Sequence, residues 1–474
     1  MPFRLMAGTT VKHVYLIGIC GTAMGSLAML LKEKGFLVSG SDLGIYPPMS
    51  DQLAAAKIPV RQGFRKENLL PRPDLVVVGN AIGRGNEELE FVLDAGIPYT
   101  SLPEMLRLTF LGERTPLVVT GTHGKTTTAA ILAWALENLG ADPSFFIGGV
   151  PLNFGRSARL GQGNLFVIEG DEYDTAFFDK APKFFHYRPG LLIINSIEYD
   201  HADIYPDLDA IMKQFRQLVN IVPANGFIAY NTNCPNSCEA IRQARCKTES
   251  VGLEEGAVWR AVNLVYERER TGFDVLYQDR LIGNMTLSIP GRYNVMNCLA
   301  ACSVLHHLAY PWEGIKSAME RFQGVERRMT LRGTVNDIRV YDDFAHHPTA
   351  IRLSLEGVRA RFPQARIWAV FEPRSWTCCR NVHQDAMNRC FDAADTVIIA
   401  AVYRRKQLSA ADMYRPEETV AHLRDMGKPA HYLSDAGEIV AFLAPRLNPG
   451  DVVVIMSNGG FDDIHLKLLS ALKR

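Results

Sequence analysis

Between residues 11 and 108, short apolar runs alternate with helical patterns. HVYLIG, FLVSGSD and DLVVVGN read as strands, and SLAMLLKEKG and EELEFVLDAG as helices. That alternation predicts a parallel sheet with crossover helices. A second stretch opens with the strand PLVVT at 116–120, passes a glycine turn and enters TTTAAILAWALENLG. There Ala130, Ile131, Trp134, Ala135 and Leu139 recur at helical spacing and Gly140 supplies a stop. LFVIE and LLIIN follow as strands that end in polar residues. Leu208, Ile211, Met212, Phe215, Leu218, Val219 and Val222 then mark one face of an amphipathic helix. Residues 256–290 change rhythm. GFDVLYQDRLIGNMTLSIP alternates as a hairpin does and predicts a small antiparallel patch. Beyond about Arg328 a second open sheet is predicted. It is built from IRVYDD, a helix from Pro348 to about Arg361, RIWAVFEP, TVIIAAVY, the PEETVAHLRDMG helix, AHYL, VVVIMSNGG and a terminal helix.

The expected fold class is therefore α/β, in closely coupled units at 1–108, 109–327 and 328–474. A length of 474 residues at roughly 150 per domain agrees. With 47% hydrophobic and 22% charged residues, global disorder is excluded. Lys plus Arg and Asp plus Glu each number 51, so no whole-molecule charge favours nucleic acid or an anionic membrane. No apolar run approaches the roughly 20 residues that span a bilayer, and MPFRLMAGTTVKHVYLIG lacks a small-residue cleavage site. Nine scattered cysteines fit a reducing compartment, and a cytoplasmic location is expected. Cys234, Cys238 and Cys246 lack the partners of a four-ligand zinc set, Cys298 and Cys302 read as core, and Cys378 and Cys379 have no paired base. Arg404, Arg405 and Lys406 read as a solvated loop.

VVTGTHGKTTT, residues 118–128, lies between a strand and a helix, the setting a phosphate loop requires. Gly121 and Gly124 let the backbone approach oxyanions, the helix start directs N–H groups there, and Lys125 adds positive charge. The Thr126 hydroxyl suits Mg2+. Val119 stands where the usual motif has its first glycine, so this is a shorter G-x-x-G-K-T form. Acids that hold a divalent ion belong at neighbouring strand ends. LFVIE ends in Glu169, followed by Asp171 and Glu172, and LLIIN leads into SIEYDH with Asp200 and His201. Glu169 and His201 thereby join Thr126 as candidate Mg2+ ligands. GICGTAMG is a second glycine loop, with Gly18, Gly21 and Gly25 after a strand and Asp42 at the end of the next. Cys20 occupies the second-glycine position, which leaves an NAD fingerprint, a nucleotide-sugar diphosphate site and plain helix–strand packing all open.

Taken together, GTHGKTTT, IEGDE, NSIEYDH, GRYNVMN (291–297), ERR (326–328) and YDDFAHHP (341–348) make the chain resemble the Mur ligases, the ATP-dependent amide-forming enzymes of bacterial cell-wall peptide assembly. The resemblance runs from HVYLIGICGTAMG to MSNGG. It implies a three-domain Mur ligase architecture: an N-terminal Rossmann-like domain, a central P-loop ATPase-like domain and a C-terminal Rossmann-like domain. It implies ATP and Mg2+ as cofactors. Gly121, Thr122, His123, Gly124, Lys125, Thr126 and Thr127 would then hold the ATP phosphates, with Thr126, Glu169 and His201 as metal ligands. Asn294 and Asn297 would contact the adenine, Arg328 a phosphate and Asp343 the ribose. Gly18, Cys20, Gly21, Thr22, Asp42 and Asn80 would bind the UDP-sugar rather than NAD. The C-terminal domain would bring the incoming amine. His201, His346, His347 and Asp343 are all candidates to accept or orient its proton, and His346-His347-Pro348 also reads simply as a helix start with a partly buried imidazole. Arg374 in FEPRS reads either as a partner for a peptide carboxylate or as one half of a structural ion pair.

Within the family, GGVPLNFG, EGDEYDTAFFDKAPKFFHYRPG, DDFAHHPTAI, EPRS and MSNGGF resemble the recycling branch, which joins the murein tripeptide L-alanyl-γ-D-glutamyl-meso-diaminopimelate to UDP-N-acetylmuramate. The branch that adds L-alanine is the alternative. Several relatives carry a carbamylated lysine on the helix after the Asp-His motif, where this chain has Phe215 or Arg216, so an unmodified site is implied. A monomer or weak homodimer is expected, open when free. The chemistry is activation of a muramyl carboxylate as an acyl phosphate, with Lys125 and Mg2+ offsetting the repulsion between carboxylate and γ-phosphate.

Overall fold

In the computed structural model, which describes residues 11–46, 49–268 and 270–473, three main sheets carry the chain. Residues 1–10, on which the expectation about a leader partly rests, lie outside the described residues. The first sheet is all parallel, in the order Val60–Gln62, Leu37–Asp42, His13–Ile17, Leu75–Val78, Tyr99–Ser101. The second has ten strands, with Leu191–Ile194, Thr115–Thr120 and Leu165–Glu169 side by side at its middle. The third has six, with Ile338–Asp343 and Val452–Met456 next to one another and Ile367–Phe371 beyond. The α/β class and three-unit architecture expected from the sequence are those observed.

Strand alternation explains how the central sheet is covered. Val118, Ile168 and Ile194 face one hydrophobic cluster and Leu117, Val119, Val167 and Ile193 the other. Both faces are dry, as parallel sheets require. On one face the helix Leu208–Asn220 buries Ile211, Met212, Phe215, Leu218 and Val219, the stripe the sequence predicted. That same cluster runs on into the first unit through Leu27, Leu31 and Leu106. On the other face lie the helices Lys125–Asn138 and Arg292–His307. The third unit keeps two clusters of its own, made only of residues 329–472.

The antiparallel patch expected at 256–290 is formed by the strands Trp259–Tyr266, Thr271–Tyr277 and Arg280–Leu287. Trp259–Tyr266 pairs in parallel with Lys247–Gly252 through Val251↔Trp259 and Gly252↔Arg260, so the hairpins extend the central sheet. Trp259 makes the join. It is fully buried, donates Nε1–H to Glu249 Oε2 at 2.7 Å and packs against the Tyr277 ring at a tilt and the His306 ring edge-on. The sequence reading also omitted the strands Val60–Gln62 and Tyr99–Ser101, three residues each and too short to show a period.

No described helix is long and apolar enough to cross a membrane, and all nine cysteines are free thiols. Trp259→Ala is expected to cost about 3–5 kcal/mol in urea unfolding. It should raise amide exchange in Lys247–Gly252 as well as in the hairpins; exchange confined to the hairpins would refute the continuous sheet.

Candidate active site

Register brings the chemistry to one edge. Val119 lies opposite Glu169, and Ile194 opposite Thr120, so the segments starting at Gly121, Gly170 and Asn195 leave three adjacent strands together. The glycine turn is then stitched to the third segment. Thr122 N–H donates to Ser196 O at 2.7 Å, His123 N–H to Ser196 Oγ at 3.2 Å, and Glu198 N–H to Thr122 Oγ1 at 2.8 Å. Two positions demand glycine. Gly121 has φ +122° and a Cβ there would sit 2.7 Å from Ser196 O; Gly124 has φ +79° and its Cβ would meet Asn297 Oδ1 at 2.5 Å. Gly124 caps the helix Lys125–Asn138, which leaves first-turn N–H groups facing a cavity of about 1020 Å3.

Lys125 Nζ donates to Glu172 Oε2 at 2.8 Å and lies 3.8 Å from Asp171. Burial opposes its charge, but Glu172 and then Asp171 hold its pKa above the usual lysine range. Thr126 Oγ1 donates to Glu169 Oε2 at 3.1 Å and accepts from Arg328 Nη2 at 3.1 Å. Glu169 also accepts Gly148 N–H at 2.6 Å, and burial raises its pKa against Gly148 and Arg328. The hydroxyl and carboxylate oxygens of Thr126 and Glu169 are hard donors, a set that fits Mg2+. His201 sits at φ +56°, strained for a non-glycine residue, with its N–H on Asp200 Oδ1 at 2.7 Å. Its Nε2 is 3.2 Å from Glu172 Oε1. Burial disfavours the imidazolium, yet the Glu172 bond and Asp200 push its pKa up to about 9. Asp171 accepts from Lys183 Nζ at 2.9 Å.

The third unit closes the cavity from the far side. His347 Nε2 is 3.2 Å from Tyr199 O, Thr349 Oγ1 donates to Glu198 Oε2 at 2.6 Å, and Ala202 N–H reaches Thr377 Oγ1 at 3.2 Å. In this structure the C-terminal unit is thus docked on the central one. His346 Nδ1 lies 3.0 Å from Phe344 O, and burial lowers its pKa, so the ring is neutral. Burial likewise brings His347 down to about 3. Glu198 is held down to about 2, against its burial, by the neighbouring His123 ring and by Thr349.

Most of the predicted residues converge here. Thr22, Asn80, Thr122 to Thr127, Glu169, His201, Asn294, Asn297, Arg328, Asp343 and His346 all line the cavity. Asn297 Nδ2 donates to Asn294 Oδ1 at 3.2 Å. Asp343 accepts N–H groups of Met329 at 2.8 Å and Ala345 at 2.7 Å, both within the C-terminal unit. Gly18, Cys20, Gly21 and Asp42 are not among the residues that line the cavity. Asp42 accepts Cys20 N–H at 2.8 Å and Gly44 N–H at 3.1 Å, so its carboxylate holds the glycine loop itself. Arg374 is also outside the lining, its guanidinium 3.9 Å from the Tyr403 ring centroid and 3.5 Å from Glu372. Sequence reasoning left Glu172, Lys183 and Glu198 without roles. The run of acids in EGDEYD and the acid in SIEYDH were their only signals.

A glycine turn with a buried lysine, opening onto a cleft shared by three α/β units, defines a nucleotide-dependent enzyme that works between domains. Residues 13–113 match the Mur ligase family, catalytic domain, residues 119–305 the Mur ligase middle domain, and residues 327–459 the Mur ligase, glutamate ligase domain. The chain is 42% identical to the UDP-N-acetylmuramate--L-alanyl-gamma-D-glutamyl-meso-2,6-diaminoheptandioate ligase of Escherichia coli (strain K12), over 98% of each chain. It is 32% identical to the UDP-N-acetylmuramate--L-alanine ligase of Acetivibrio thermocellus, over 94% of this chain and 93% of the other. The crystal structure of a murein peptide ligase from Psychrobacter arcticus 273-4 superposes with a TM-score of 0.74 at 37% identity, covering 97% of this chain and 98% of that one. The chain belongs to the Mur ligase family.

Gly124→Ala is expected to weaken adenine-nucleotide binding by at least tenfold in calorimetry, through the Asn297 clash and the left-handed backbone. Unchanged affinity would mean that nucleotide does not use this turn.

Proposed function

We infer that this protein is an ATP-dependent ligase that joins L-alanyl-γ-D-glutamyl-meso-diaminopimelate to the muramyl carboxylate of UDP-N-acetylmuramate, in cell-wall peptide recycling. The observation that carries the reading is the Lys125 turn, facing a cleft built by all three units, in a chain 42% identical end to end to a ligase of that activity. Addition of L-alanine is the second reading, supported by the 32% relative.

In the proposed reaction the muramyl carboxylate attacks the γ-phosphorus of ATP, ADP leaves, and an acyl phosphate forms. The alanyl amine attacks the acyl carbon, phosphate departs, and the amine gives up a proton. Lys125 and the N–H groups at the start of Lys125–Asn138 neutralise the phosphates, and Arg328, beside Thr126, meets the transferred phosphoryl group. Mg2+ would be held by Thr126, Glu169 and His201, and when bound it offsets negative charge on the phosphates. His201 must first lose the proton that Glu172 stabilises. His346 is suited to take the amine's proton: Nδ1–H pairs with Phe344 O, which leaves Nε2 unprotonated in a neutral ring. Asn294 and Asn297 serve the adenine and Asp343 the ribose. The helix Thr22–Glu33 presents its N-terminus to the cavity for the UDP diphosphate, with Asn80 beside it.

Arg374 and Arg404 are assigned to the peptide carboxylates. Arg374 lies over Tyr403, Arg404 is 4.2 Å from the Trp376 ring centroid, and Arg404 Nε is buried without a partner. Stacked guanidinium planes are pre-set for bidentate carboxylate binding. The compartment proposed is the cytoplasm, in agreement with nine free thiols.

Incubation with ATP, Mg2+, UDP-N-acetylmuramate and equal amounts of L-alanine and tripeptide, read by mass spectrometry, should give the tripeptide adduct. An alanine adduct would transfer the assignment to the second reading, and unconsumed ATP would end both. In the same assay Lys125→Ala is expected to lower kcat by about two orders of magnitude or more. Arg374→Lys should raise KM for tripeptide about tenfold with KM for the sugar nucleotide unchanged; equal changes in both would remove Arg374 from the peptide site.

A further inference from the structure

We propose that His123, Glu198 and His347 form a second cation site, separate from Thr126 and Glu169, that takes a borderline divalent ion such as Zn2+ and clamps the phosphate loop to the C-terminal unit. The three residues come from three segments. His123 lies between the two strained glycines of the loop, Glu198 follows the strand Leu191–Ile194, and His347 caps the helix Pro348–Arg361. His123 Nε2 is 3.5 Å from Glu198 Oε2, His347 Nδ1 is 3.6 Å from the same oxygen, and the donor atoms all lie within 4.8 Å of one another. A tetrahedral ion with bonds of about 2.0–2.1 Å has donor-to-donor edges of roughly 3.3 Å. Two edges are therefore nearly at length, and the third, between the two imidazoles, is no longer than 4.8 Å and would shorten as the ion draws the rings together.

The surroundings favour the same reading. His123 Nε2 is buried and has no hydrogen-bond partner, an unmet need that an ion would satisfy. His347 Nε2 faces Tyr199 O at 3.2 Å, so its proton belongs there and Nδ1 keeps the lone pair. That is the outer hydrogen bond by which metal-binding histidines are oriented. Nδ1 now accepts Thr349 N–H at 3.2 Å, a bond the ion would displace. Thr349 Oγ1 on Glu198 Oε2 would persist and fix the carboxylate. Two imidazoles and one carboxylate are a softer set than the oxygens that suit Mg2+, so the ions sort between the two sites. An ion here ties together units that must separate for substrates to enter, and so inhibits turnover.

The test uses the full-length protein with Mg2+ in large excess. Wild type is expected to bind one Zn2+ that a thousandfold excess of Mg2+ does not displace, and Zn2+ should inhibit ligation. Glu198→Gln and His347→Gln should each weaken Zn2+ binding at least tenfold, and Glu198→Gln should raise the inhibitory Zn2+ concentration by a similar factor. X-ray absorption on zinc-loaded wild type reports two imidazole ligands if the proposal holds, and needs no variant to fold. A single imidazole, with binding lost in His201→Gln and kept in His347→Gln, would assign the ion to Asp171, Glu172 and His201 and overturn the proposal. So would the absence of stoichiometric Zn2+ binding. Failure of ligation itself would bear on the proposed function and leave the metal count intact.

Discussion

A buried ammonium must be paired at every stage of a reaction cycle, and Lys125 imposes that condition on everything around it. Without ligand its charge rests on Glu172 at 2.8 Å and Asp171 at 3.8 Å. Both acids have other cations to turn to, Glu172 the His201 ring and Asp171 the Lys183 ammonium. Under the proposed function, phosphates arriving at Lys125 would take it over without stranding an anion. The pocket is thus a relay of charges in which each partner has a second one waiting. Parallel strands make this possible, because three neighbouring chains end at one edge and deliver their polar residues to the same place.

Much of this was legible in the linear chain. The glycine turn could be read because its glycines, lysine and threonine stand between a strand pattern and a helix pattern, and the structure shows why alanine would fail at Gly121 and Gly124. Pro348 and the apolar spacing behind it marked a helix whose first and last residues are Pro348 and Arg361. Partnership was less legible. Alternation in 256–290 disclosed half-buried antiparallel strands but not their neighbour, which is set by the parallel contact of Val251 with Trp259. Asp42 ends a strand as a ribose-binding acid would, yet its lone pairs hold the backbone of Cys20 and Gly44. Glu198 carried no pattern, because its meaning depends on His347, far along the chain.

The junction between the central and C-terminal units is polar. Arg328 with Thr126, Thr349 with Glu198, His347 with Tyr199 O and Ala202 with Thr377 are bonds that water can replace at small cost. A contact of that kind can release and re-form, whereas the apolar seam between the first and central units cannot open without exposing Leu27, Leu31 and Phe110.

That contrast governs how the fold takes substitution. The clusters of residues 329–472 are self-contained, while the first two units share one interior. Substitutions inside the C-terminal unit can be absorbed by a core of its own, whereas those in the first or central unit are felt across their common interior.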